Sequence, residues 1–135
     1  MKRKILTPST VATPGGPYSH AIAVDEPARL LFTAGQVALG ADGQLVGKGD
    51  VAAQAKQVYD NIANLVQAAG GTMADIVQFR AYLTSRDLLS AFVAARNEVF
   101  AEAFPDKNYP TSTLVIVTGL ANPDWLIEVE AVAAI

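Results

Sequence analysis

Apolar positions along the chain follow two periods. Val51, Ala55, Val58, Ile62, Leu65, Val66 and Ala69 recur every three or four residues, so they share one stripe of a helix. Asp50 stands before the stripe as an N-cap candidate, and Gly70-Gly71 follows as a stop. A second, mostly apolar stripe comprises Leu89, Phe92, Val93, Arg96, Val99, Phe100 and Ala103. Ser85 or Asp87 can cap it, and Pro105 lies past its end. Runs rich in β-forming residues predict strands at 4–6, 19–24, 30–36, 76–83, 113–117 and 125–134. Pro14-Gly15-Gly16-Pro17 and Asp42-Gly43 break the pattern as loops or turns.

The predicted order is β-β-β-α-β-α-β-β, an α+β arrangement with a mixed six-stranded sheet and two helices on one face. We expect one domain over residues 1–135. In the last strand Leu126, Glu128 and Glu130 alternate with Ile127, Val129 and Ala131, so one set must face something other than apolar core. A chain of 135 residues has nothing left to cover the helix-free face of the sheet. Association of copies through that face is the expected solution.

Composition narrows the function. The chain has 51% hydrophobic residues and no cysteine, which excludes disulfides and Cys-based zinc sites. One histidine leaves no metal constellation. Walker and dinucleotide glycine loops are absent, as is any Ser-His-Asp signal. No segment reaches the roughly 20 apolar residues of a membrane span, and the N-terminal segment lacks a signal-peptide run. We expect a soluble, cytoplasmic protein with no membrane association. Net charge is −3, and Lys2-Arg3-Lys4 is the only basic cluster, which makes nucleic acid an unfavoured ligand.

Four stretches together resemble the RidA/YjgF family, also labelled endoribonuclease L-PSP. Gly16-Pro17-Tyr18-Ser19-His20 resembles its N-terminal G-P-Y-S-x, and Thr33-Ala34-Gly35-Gln36 its T-S-G-Q. The segment from Asp50 through Asn61 to Gly70 and Asp75-Ile76-Val77 resembles its long-helix region. Ile127-Glu128-Val129-Glu130-Ala131 resembles its terminal I-E-I-E-A. The resemblance implies a chorismate-mutase-like RidA fold and a homotrimer with small-molecule clefts between subunits. It also implies hydrolysis of reactive enamines and imines, such as 2-aminoacrylate, without metal or organic cofactor. In the family an arginine clamps the substrate carboxylate, and the first glutamate of I-E-I-E-A positions a water.

Carried onto this chain, the resemblance makes Glu128 and Tyr18 the catalytic candidates. It makes Ala34, Gly35, Ser112, Thr113 and His20 the substrate-binding candidates. Most also have a bland alternative: Tyr18 as an amphipathic packing residue, Glu128 as an interface or surface charge, Gly35 as a strand-end bend, His20 as a structural or solvated histidine, and Ser112 and Thr113 as a β-forming strand start. Glu130 reads as structural. The segment Tyr109-Pro110-Thr111-Ser112-Thr113-Leu114 aligns with the family P-A-R-S-C, so Ser112 stands where the arginine should be. A guanidinium gives a permanent charge and a two-pronged fork, and a serine gives one neutral hydroxyl. Ala34 replaces the strand serine, Leu114 the cysteine and Ala94 a helix asparagine. Arg80 and Arg96 match no family site position and read as surface or interface residues. The cleft is therefore expected to be less polar and less cationic than in the enamine deaminases. Three readings follow: an imine/enamine deaminase-type hydrolase with a non-standard substrate, a non-catalytic metabolite-binding trimer acting as sensor or pathway partner, and, least favoured, an endoribonuclease or translation inhibitor.

Overall fold

The computed structural model describes residues 2–135. Strands β1 (Lys2–Leu6), β2 (Ala21–Asp25) and β3 (Leu30–Phe32) precede helix α1 (Val51–Ala68). Then come β4 (Ile76–Leu83), α2 (Leu89–Ala103), β5 (Thr111–Ile116) and β6 (Ile127–Ala134). The order and both helices are as the hydrophobic pattern predicts. Strand pairing is more divided than one continuous sheet. A four-stranded sheet has the order β3-β6-β4-β5, and β1 and β2 form a separate antiparallel ribbon. The two are linked where buried Ser19 bridges Thr111 and donates its backbone N–H to Pro110 O at 3.0 Å. Among the named strands of the described residues only β4 and β5 pair in parallel, as a strand–helix–strand crossover through α2 requires, and the Ser19–Thr111 bridge is also parallel.

Asp50 caps α1 as expected, its Oδ1 accepting from Ala53 N at 3.1 Å. The cap of α2 differs from expectation. Ser85 accepts from Asp87 N and caps a 3-10 turn, Arg86–Leu88, and α2 itself starts after Leu88 with no side-chain cap. Both helices pack on one face of the sheet. Phe79, Ala81 and Leu83 of β4 and Ile127, Val129, Ala131 and Ala133 of β6 point to that face and are buried. Tyr59 of α1, Phe79, and Phe100 of α2 form the centre, with ring centroids 5.4 to 5.8 Å apart, within the favourable range for aromatic pairs. Gln54 is the one fully buried carboxamide in this layer. It donates to Gly47 O and Asp124 O and accepts from Leu126 N, tying α1 to the segments that enter α1 and β6.

Candidate functional site

Alternation along β6 sends Glu128, Glu130 and Val132 to the face without helices. Register then fixes their neighbours. Glu128 lies opposite Tyr82 of β4, which pairs onward with Val115 of β5; Glu130 lies opposite Arg80, which pairs with Thr113. Glu130 is the anchored acid of the two. Its Oε1 accepts from Arg80 Nη1 and from Tyr82 Oη, both at 3.1 Å. That hydrogen bond, then desolvation and the Glu130 and Glu128 charges, hold the Tyr82 phenol above its ordinary pKa, opposed by Arg80. Pattern reading alone passed over Tyr82, although period two in β4 puts it on the same face as Arg80.

Glu128 has a different setting. Its side chain lies over Gly35. A Cβ built on that glycine would sit 2.1 Å from Glu128 Oε1 and 2.9 Å from Cγ. Gly35 has no positive φ, so it is needed there for space and not for backbone freedom. It occupies an interruption in the β3–β6 ladder. Pairing holds from Leu30 to Phe32, breaks, and resumes where Gln36 bridges Val129. Thr33 spans the gap, its N–H donating to Ala131 O and its hydroxyl accepting from Ala131 N. The strand predicted over 30–36 therefore ends at Phe32 and continues as a bulge that brings Gly35 against the carboxylate. Ala34 is exposed within that bulge.

The remaining candidates are dispersed. Ser112 pairs with Phe79, so it shares the helix-side face, and Thr113 shares the open face with Arg80. Within one chain, Ser112 and Glu128 thus stand on opposite faces of the same sheet. Tyr18 and His20 form a local cluster before β2. Gly15 N donates to Tyr18 Oη, the two rings meet edge to face with centroids 5.6 Å apart, and His20 Nε2 contacts Ala12 O. Arg96 is more enclosed than a surface reading suggests. It lies half-buried over the Phe100 ring, 5.6 Å from the centroid, and desolvation lowers its pKa. Among the described residues no group of three or more His, Cys, Asp or Glu is placed to hold a metal ion, and no helix is long and apolar enough to cross a membrane.

Comparison with known proteins agrees with this architecture. The family described as Endoribonuclease L-PSP matches residues 9–135. A RutC family protein of Pyrococcus horikoshii is 37% identical over 133 residues, covering 98% of each chain. The 3-aminoacrylate deaminase RutC of Acinetobacter baylyi is 32% identical over the same length, again with 98% of each chain covered. Among solved structures, the Rid family protein YyfB of Yersinia pestis superposes with a TM-score of 0.85 at 36% identity, covering 100% of both chains.

Proposed function

This chain belongs to the endoribonuclease L-PSP family, the RidA/YjgF group, and from that premise we propose that it hydrolyses reactive imines or enamines in a cleft formed between copies of itself. The relative named as a 3-aminoacrylate deaminase supports this class of reaction. The observation that carries the reading is the contrast between two glutamates on one strand. Glu130 is held by an arginine and a tyrosine, whereas Glu128 lies against a glycine with its carboxylate free to hold a water.

Glu128 acts as general base. An enamine first takes a proton on carbon to become the iminium. Water then adds to the carbon of the C=N bond, its oxygen forming the new C–O bond while its proton passes to Glu128. The carbinolamine nitrogen takes that proton back. As the C–N bond breaks and ammonia leaves, the hydroxyl oxygen gives its proton to Glu128 and becomes the ketone oxygen. Glu128 returns the proton to solvent, replacing the one taken up by the enamine carbon. Because Ser112 and Glu128 face opposite sides of one sheet, a ligand touching both needs two chains. Leu30 and Phe32, 55% and 70% exposed on β3, support association through the open face, and we assign the assembly as a homotrimer. Tyr18 and His20 are assigned to the wall of that cleft, with Ala34, Gly35 and Thr113 at its rim.

The test couples an amino-acid oxidase, which generates imines, to trapping of the residual imine. Wild type is expected to speed imine disappearance and ammonia release, and Glu128→Gln to lower the rate by about 10²-fold or more, the usual scale for a lost general base. Full activity in Glu128→Gln would remove this mechanism. Ser112 in place of a clamping arginine favours a second reading, a trimer that binds a metabolite without turnover. A ligand recovered unchanged after raising the melting temperature would support that reading. RNA cleavage is disfavoured by the net charge of −3.

A further inference from the structure

A groove of about 560 Å³ runs between the loop of residues 35–41 and the outer side of α1, a volume within the usual range for small-molecule sites. Its walls carry amides and no ionisable group. Gln36 comes from the loop, and Gln57, Asn61 and Asn64 come from α1 with Leu65 beside them. Gln36 Nε2 donates to Ala34 O in its own loop at 3.3 Å, and Asn61 is committed to the fold. Asn61 Nδ2 donates to Val37 O at 3.2 Å and Leu39 O at 2.9 Å, and its Oδ1 accepts from Gln57 Nε2 at 2.8 Å. That chain fixes the loop on the helix and turns Gln57 so that its Oε1 is spare. Asn64 is exposed, and no hydrogen bond among the described residues engages its carboxamide. The groove therefore presents neutral donors and acceptors on a rigid wall, with Leu65, 40% exposed, as an apolar flank.

A carboxylate or ammonium seated along the amide wall would lose water and meet no counter-charge among Gln36, Gln57, Asn61 and Asn64, which is costly. An amide or urea loses less and finds a matching donor–acceptor edge. Gly35 joins the groove to the acid: it lines the groove, and Glu128 lies against it. We propose that the groove between the 35–41 loop and α1 binds the uncharged amide- or urea-bearing end of a ligand whose reactive end lies at Glu128. As a statement of substrate class this rests on the imine-hydrolase reading, and the binding itself does not.

The test is an NMR titration of the intact protein with three probes of similar size: n-butylurea, n-butyrate and n-butylammonium. Butylurea is expected to shift the side-chain amides of Gln57 and Asn64 and the backbone amides of Gly35 and Gln36, with the two charged probes leaving them in place. Asn64→Leu, at an exposed position outside the core, is expected to weaken butylurea at least fivefold. Glu128→Gln is expected to bind it as wild type does. Equal or stronger shifts from a charged probe, no shift from butylurea, or unchanged affinity in Asn64→Leu would each overturn the proposal. Butylurea binding in a wild type that turns over no imine would remove the hydrolase reading and leave the groove assignment standing. Imine turnover without groove binding would do the reverse.

Discussion

On the proposed mechanism, the Gly35–Glu128 contact ties activity to a single missing side chain. A methyl group at residue 35 overlaps the carboxylate and Cγ of Glu128, not backbone, so a flexible side chain moves and the fold stays. Gly35→Ala is expected to change stability by less than about 1 kcal/mol, since the backbone there suits alanine. Imine hydrolysis is expected to fall by about 10²-fold, the scale of a misplaced catalytic group. Melting temperature and kcat measured on the same sample check both halves. A second residue-scale expectation concerns two phenols. Burial pushes the Tyr59 hydroxyl well above its ordinary value, only partly opposed by Arg96, and Tyr82 is raised chiefly by its bond to Glu130. Below the unfolded-state value of 10.0 both groups keep their protons in either state, and their contribution to stability is complete. As pH climbs past 10 the unfolded chain releases protons that the folded chain retains, so stability falls until the folded groups also ionise. Ultraviolet titration is expected to show Tyr59 and Tyr82 ionising above the ordinary phenol value, Tyr59 only as the protein unfolds.

At the scale of elements, Gln54 joins α1 to the ends of two loops. Gln54→Leu keeps the volume but strips partners from Gly47 O, Asp124 O and Leu126 N. A destabilisation of about 3 kcal/mol is expected from buried groups left unpaired, read as a lower urea midpoint at unchanged slope. Elements with strong local signals were legible from sequence alone. The stripe from Val51, its Asp50 cap and the strand Ile76–Leu83 all stand where the pattern puts them. The bulge after Phe32 was not, because it depends on a hydroxyl of Thr33 meeting Ala131 N, 98 positions away in the chain. The beginning of β6 moved for a related reason. Trp125 and Leu126 suit a strand, but Leu126 N is taken by the Gln54 side chain, and the ladder starts at Ile127. Alternation revealed that Glu128 and Glu130 share a face. It gave no sign that one is anchored and the other free, which follows from the β4 register bringing Arg80 and Tyr82 to Glu130.

For the whole molecule, the helix-free face holds acid, base and exposed apolar groups together: Glu128, the Glu130–Arg80–Tyr82 network, Phe32 and Leu30. A face of this kind on a small chain is stable in water when another copy covers it. On the function proposed above, the reacting site lies where Glu128 of one copy meets Ser112 of the next, because a single chain holds them on opposite sides of its sheet. Subunit mixing tests this most directly. Glu128→Gln and Ser112→Glu homo-oligomers are each expected to be inactive towards imines. Refolded together in equal amounts, they are expected to regain about a quarter of wild-type activity, the share of interfaces in a randomly mixed closed ring that carry both native residues. A mixture as inactive as its parents, with the chains shown to have exchanged, would contradict a site shared between copies.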